Sequence, residues 1–253
     1  KIIKRGKYTF RRKDNTIEEI DISSQISHCV KHTKTYRPNY YYNRKGRNPT
    51  VKKRKRACKI EVVPESTFGS AKRLVKKEKI SRTCVLNFAS ATKPGGGFKN
   101  GRTAQEESLS RQSALYESLR KHREMYNYNL KHSTNDSFYN DYMIYSSKVP
   151  VFRSDISERL FGKNEIFVTS VITSAAPNLK DVSKYQQNRK NYKKIFYERC
   201  RKILLLAIER HNDAIVLGAY GCGVFENDPK FVSSVFKKLL FKGKNGDEPL
   251  CKY

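Results

Sequence analysis

One stretch constrains this chain more than any other: Pro94-Gly95-Gly96-Gly97-Phe98-Lys99-Asn100-Gly101-Arg102-Thr103-Ala104-Gln105-Glu106-Glu107. The apolar run Val85-Leu86-Asn87-Phe88 leads into it, and a helical pattern of Leu109, Leu115, Tyr116 and Leu119 leads out. Four glycines in seven residues remove the Cβ atoms that would hold a ligand away from the backbone. Between a strand and a helix N-terminus such a loop is a ready anion site, because bare amides and the helix dipole both point there. Yet Glu106 and Glu107 place two carboxylates where an anionic ligand would sit. Carboxylates repel phosphate, and acid–base chemistry beside the phosphates gives them a purpose.

The flanking sequence embeds this loop in alternating elements. Ile60 to Val63 and Thr83 to Phe88 read as strands, separated by a helix from Thr67 to Lys77 with Ser66 or Thr67 as its cap. A helix over 104–122 follows the loop, then a Tyr-rich polar linker around 126–140. Tyr142 to Tyr145 and Val149 to Phe152 are short strands, and Ile166 to Thr173 is a stronger one. The stripe Ile195, Phe196, Ile203, Leu204, Ala207 and Ile208 makes 188–211 a helix, Ala214 to Leu217 is a buried strand, and 228–241 is the last helix. Such alternation predicts an α/β layered domain with a largely parallel sheet, whose ligands sit beyond the carboxyl ends of the strands. Residues 1–58 are less regular. Ile17 to Ile26 predicts a short strand and helix capped by Asp21 or Ser23, and beyond it lie the tyrosines of 36–42 and the basic cluster 52–56.

Lys and Arg number 53 against 24 Asp and Glu, a formal charge of +29. That surplus says nothing of fold but favours association with polyanions. A generic basic surface and a face for nucleic acid both fit it, and the basic, Tyr-rich N-terminal part fits either a solvated arm or a single-strand contact. The cluster at 52–56 also resembles a nuclear-localisation patch. The six cysteines are scattered without a C-x-x-C pair, and the five histidines are not spaced with them as ligands. No metal site or cofactor is expected, nor a secreted disulfide scaffold, and a reducing compartment, cytoplasmic or nuclear, is. No apolar run reaches the length of a membrane span or a signal peptide.

A second glycine-rich loop, Gly218-Ala219-Tyr220-Gly221-Cys222-Gly223-Val224-Phe225, also follows a strand and precedes a helix. Two such loops facing one cleft would grip a diphosphate from both sides. The first loop comes within one residue of a nucleotide-binding phosphate loop, Gly96-x4-Gly101-Arg102-Thr103, but Arg stands where a compact Lys is needed. A dinucleotide-binding GxGxxG after a first strand is absent.

Several motifs in order carry a resemblance: Leu86-Asn87-Phe88-Ala89-Ser90, the GGG-x7-QEE spacing from Gly95 to Glu107, Val149-Pro150-Val151-Phe152-Arg153, Ala175-Ala176-Pro177-Asn178, and Leu217 to Phe225. From about residue 60 to 241 the chain resembles the microbial-type poly(ADP-ribose) glycohydrolases, which are related to macrodomains. The resemblance implies a three-layer α/β/α macrodomain-like sandwich with a mixed central sheet, spanning 59–253, and an N-terminal extension over 1–58. It implies hydrolysis of ribose–ribose O-glycosidic bonds, releasing ADP-ribose, with poly(ADP-ribose) or ADP-ribosylated proteins as partners. Glu107 would be the catalytic acid–base and Glu106 would orient the ribose. Gln105, Gly95, Gly96 and Gly97 would bind substrate as part of the catalytic motif, the glycines giving the loop its close approach, and Asn87 and Asn100 are ribose or loop-bracing contacts. Gly221, Cys222, Gly223 and Val224 would hold the diphosphate, with Phe225 on the distal ribose. Tyr220 stands where the family usually has Trp. A mono-ADP-ribosyl-protein hydrolase and a non-catalytic ADP-ribose or nucleic-acid binding module are the alternatives.

The chemistry of the residues agrees with a single catalytic carboxylate. Adjacent helical residues point roughly 100° apart, so Glu106 and Glu107 do not flank one bond as a glycosidase pair does. One tension accompanies this reading: a helix N-terminus favours the ionised form, whereas a general acid needs its proton.

Overall fold

The computed structural model describes residues 2–40, 58–132, 138–180, 191–242 and 249–252. The basic cluster 52–56 and the last two tyrosines of 36–42 lie outside them. The chain opens with α1 (Ile2–Arg5), the hairpin β1 (Lys7–Arg11) and β2 (Ile17–Asp21), α2 (Ser23–Lys31) and β3 (Lys34–Tyr36). The strand and helix expected from Ile17 to Ile26 are β2 and the start of α2, where Asp21 accepts the Ser23 amide at 2.7 Å.

Helix α3 (Thr67–Lys72) starts at Ser66, whose hydroxyl accepts the Gly69 amide at 3.0 Å, and it continues as a π turn over Arg73–Lys77. Strand β4 (Thr83–Phe88) leads to the first glycine loop, α4 (Gln105–Gln112), α5 (Leu115–Leu119) and α6 (Glu124–His132). Then come β5 (Met143–Val151), β6 (Phe167–Ser174), α7 (Tyr192–Glu209), β7 (Ala214–Val216) and α8 (Pro229–Phe241). Asp228 caps α8 by accepting the amides of Lys230 and Phe231 at 3.0 and 3.3 Å, with Pro229 at the first helical position.

Side chains alternate across the strands, so each needs cover on both faces. Cys84 and Leu86 of β4 face α7 and α8, packing with Phe196, Ile203, Leu204, Val232 and Leu239. Val85 faces the other way, into a layer of Cys29, Phe68, Leu109, Leu115, Leu119 and Met125 from α2 to α6. The result is the three-layer α/β/α sandwich that the resemblance implied. Cys84 and Cys200 are fully buried, as their apolar contexts indicated.

The five-stranded sheet runs β3-β5-β6-β4-β7. β4 is parallel to β6 and β7, but β5 is antiparallel to β6 and to β3, so the sheet is mixed rather than largely parallel. The connection from β5 to β6 carries no α-helix to recross the sheet, and without one only antiparallel neighbours join. β3, within the irregular N-terminal stretch, forms the sheet's edge.

Other expectations are corrected. Ile60 to Val63 pairs with no strand and leaves Val62 98% exposed. The helix over 104–122 breaks at Ser113, where the backbone is extended and bridges to Val151, so the end of β5 captures it. The linker near 126–140 begins as α6, which buries Met125, Tyr126 and Asn129. β7 is only partly buried.

Because β4, β6 and β7 run together, the loops after Phe88, Ser174 and Val216 leave from one edge of the sheet. Met143, which opens β5, lies opposite Ser174 at that same edge.

Candidate active site

The first loop folds back on the helix that follows it. Gln105 joins the two: its Oε1 accepts the Phe88 amide at 2.9 Å, while its Nε2 donates to the Leu86 carbonyl at 2.8 Å and to Thr67 at 3.2 Å. Both ends of its amide are therefore engaged by the protein, and its role is to moor α4 to β4.

Glu106 points inward and is 3% exposed. The Ser90 amide donates to its Oε2 at 2.7 Å, and Asn87 Nδ2 donates to its Oε1 at 3.2 Å. Burial pushes the Glu106 carboxyl up to about 8 despite these donors. At neutral pH Glu106 is thus mostly uncharged. Asn87 is fully buried, its Nδ2 also reaches Thr173 at 3.2 Å, and its Oδ1 has no partner among the described residues.

Glu107 lies against the glycines. Its Oε1 accepts the Gly97 amide at 2.8 Å, while Oε2 makes no hydrogen bond among the described residues and is not sealed from solvent. Gly96 has φ +59°, and a Cβ there would stand 2.3 Å from Glu107 Oε1. Only glycine fits that conformation and that approach. Gly95 is buried beneath Phe98 and Tyr116, and Asn100 is exposed.

This changes the reading of the first loop. Its amides do not lie bare for an external phosphate: Gly97 serves Glu107, Gly96 serves the Lys93 carbonyl, and Ser90 and Gly95 face Glu106. The protein's own carboxylates occupy the anion site. That is why two acids tolerate the place.

The second loop is the complementary case. The backbone amides of Gly221, Gly223, Val224 and Phe225 have no partner among the described residues, and Gly223 and Val224 are exposed. Successive free amides in a turn are an anion-binding arrangement. Gly221, at φ +75°, is pressed against Ala176 and Asn227, and a Cβ would come within 2.5 Å of the former. Burial pushes the Cys222 thiol up, so its sulfur stays protonated. Phe225 is half-buried, its ring 5.9 Å from that of Tyr139.

Phe88 connects the loops: its backbone begins the first, and its ring packs on Gly218 and lies 6.0 Å from the Tyr220 ring in the second. Tyr220 is fully buried, with its hydroxyl 3.0 Å from Ser174 Oγ, so it fills the place as a core aromatic.

Two positioning groups were not singled out from sequence. Asn227 is 2% exposed and donates to the carbonyls of Pro177 and Gly221, both at 2.9 Å, while accepting from Tyr192 at 2.7 Å. Arg199 is 1% exposed and holds Asp141 at 2.9 Å, the Phe138 carbonyl at 2.8 Å and the Ala175 carbonyl at 2.9 Å. Lys202 pairs with the same Asp141. Burial alone would raise the Asp141 carboxyl, but Arg199 and then Lys202 outweigh it and hold it below the usual carboxylate range. The signal was present: two cations inside the apolar stripe of α7.

A cleft of about 590 Å³ lies at the opposite end of the sheet, between β2 and the start of β6, and none of the residues above lines it. Among the described residues, no helix is long and apolar enough to cross a membrane.

A family model described as the microbial-type PARG catalytic domain matches residues 1–154, so the match takes in the N-terminal stretch outside the sequence motifs. Comparison with curated proteins gives no match. Among solved structures, poly(ADP-ribose) glycohydrolase from Thermomonospora curvata bound to the inhibitor ADP-HPD is 34% identical, with a TM-score of 0.81 over 98% of this chain and 86% of that one. A second structure of the Thermomonospora protein gives 34% identity and a TM-score of 0.84 over 96% and 86% of the two chains. The enzyme from Deinococcus radiodurans in complex with ADP-ribose is 33% identical, with a TM-score of 0.75 over 88% and 87%. With the family model matched over more than half its length and these relatives aligned along nearly all of it, the chain belongs to the microbial-type poly(ADP-ribose) glycohydrolases.

Proposed function

We propose that this poly(ADP-ribose) glycohydrolase works with Glu107 as its single acid–base group and Glu106 as the neutral neighbour that orients the ribose. The observation that carries the assignment is the difference between the two carboxylates: both oxygens of Glu106 are engaged by the protein, whereas Glu107 Oε2 has no partner among the described residues. A group that exchanges a proton with the substrate needs such a free oxygen.

The reaction breaks the bond between an anomeric carbon and the ribose oxygen of the next unit. Glu107 gives its proton to that oxygen, which leaves with the bonding pair, and positive charge develops on the ribose left behind. The diphosphate of that same unit, held by the free amides of the second loop, opposes the charge from one side. Water then adds to the anomeric carbon and its proton passes to Glu107, restoring the acid. Glu106, largely neutral at pH 7, adds no negative charge beside the diphosphate, and through Ser90 and Asn87 it fixes the wall against which the ribose is oriented.

Incubation of the protein with end-labelled poly(ADP-ribose) and with a mono-ADP-ribosylated protein tests the reading by chromatography of the products. Release of ADP-ribose from the polymer is expected. Polymer left intact while the modified protein loses its ADP-ribose would move the activity to the mono-ADP-ribosyl linkage.

A further inference from the structure

Among the cations around the first loop, Lys99 and Arg102, both exposed, and Arg111, half-buried, form no ion pair among the described residues. With 53 Lys and Arg against 24 Asp and Glu many cations lack an ion pair, although Arg73, Arg82, Arg120 and Arg159 each lie against a carboxylate, so what marks these three is their place and how they are held. The nearby acids are already occupied: Glu117 pairs with Arg120, and Glu106 and Glu107 turn to backbone amides of the loop.

These cations are also held in place. The methylenes of Arg102 lie over Gly97, where a Cβ would meet its Cδ at 2.5 Å. Arg111 Nη1 donates to the Arg102 carbonyl at 2.5 Å, fixing that residue's backbone. Lys99 Nζ donates to the Tyr116 hydroxyl at 2.7 Å and sits 4.4 Å from the centre of its ring, which in turn packs 4.8 Å from Phe98. Mobile, solvated cations need no explanation. Charges held on one loop without counter-ions do, because a fixed cation in partly apolar surroundings is a ready contact for an anion.

Their position says which anion. Arg102 packs its methylenes over Gly97, whose amide holds Glu107, so on the glycohydrolase reading this residue stands on the Glu107 side of the scissile bond. The unit being released has its diphosphate on the second loop, at the other side of that bond. Resting on the glycohydrolase reading above, we propose that Lys99 and Arg102, buttressed by Arg111, form a subsite for the diphosphate of the adjoining ADP-ribose unit, the one that leaves with the rest of the polymer. The Arg in Gly96-x4-Gly101-Arg102-Thr103, misplaced for a nucleotide loop, has a use here. The subsite favours chains over a single terminal ADP-ribose.

The test is the double variant Lys99→Met with Arg102→Met, which removes both charges and keeps the aliphatic packing over Gly97 and Tyr116. Its kcat/KM is compared with wild type on poly(ADP-ribose) and on ADP-ribose carrying a neutral aryl leaving group. About a tenfold loss confined to the polymer is expected, with the salt dependence of polymer affinity shallower by about 1.4 in log–log slope. An equal loss on both substrates, or none on the polymer, would overturn the subsite. Should wild type cleave neither substrate, the glycohydrolase reading fails. Affinity of labelled polymer for wild type and variant then decides the subsite alone: a weakened, flatter salt profile upholds it, and identical profiles reject it.

Discussion

At the scale of single residues, the two adjacent glutamates sit in different surroundings, and the proposed mechanism gives each a different job. Glu106 is enclosed, doubly hydrogen-bonded and held protonated by burial to about pH 8. Its stability contribution follows from that shift. The folded chain keeps a proton that the unfolded chain releases above the ordinary carboxylate value, so the contribution is complete below that value and lost as pH rises through about 8. In Glu106→Gln this loss is absent, and between about pH 5 and 8 the wild type should lose stability relative to the variant by up to ~1.4 kcal/mol per pH unit. Thermal unfolding of both proteins across that range checks it, and parallel profiles would contradict it. Gly96 is the second residue on which the site depends. Gly96→Ala puts a methyl onto Glu107 Oε1 and strains a positive φ, so kcat should fall about 100-fold while the protein stays folded. Steady-state kinetics with a circular-dichroism control measures this.

At the scale of elements, strand ends bring the parts together and buried ion pairs hold them. Arg199 on α7 ties the segment before β5 to the loop after β6 and neutralises Asp141. Arg199→Met leaves that carboxylate buried with Lys202 as its only cation among the contacts above and frees two carbonyls, which should cost ~3 kcal/mol by urea unfolding. A loss below ~1 kcal/mol would show that the pair is not structural. The elements also show where sequence reasoning succeeds. Strands β4 and β6 were legible because both faces are buried and apolar and β-branched residues dominate them. The break at Ser113 was not, since a helical pattern continues through it and only the backbone of β5 competes for those amides. Ile60 to Val63 has a strand's composition without a strand beside it, and strand propensity measures fit to neighbours more than intrinsic preference. α6 hid behind Tyr and Asn, weak helix formers stabilised here by burying Met125 and Tyr126.

At the scale of the whole molecule, the sheet's direction organises the site. Three parallel strands deliver their loops to one edge, and the two glycine loops there have opposite characters. One has its amides engaged by the protein's own carboxylates, and the other leaves its amides free. The motifs in the sequence located both loops, and the notion of two phosphate cradles was natural from glycine content alone. Which amides are free depends on how the first loop folds onto Glu107, and no local pattern encodes that. The high positive charge of the chain has a specific component at Lys99 and Arg102 within a generally basic surface. If binding and chemistry reside on different loops, they must be separable by one substitution. The most direct measurement is therefore on Glu107→Gln, comparing turnover of poly(ADP-ribose) with affinity for ADP-ribose by calorimetry. A fall in kcat of about 10³-fold, with ADP-ribose affinity within a few-fold of wild type, is the expected result. Turnover within tenfold of wild type would contradict the assignment of Glu107 as the acid–base.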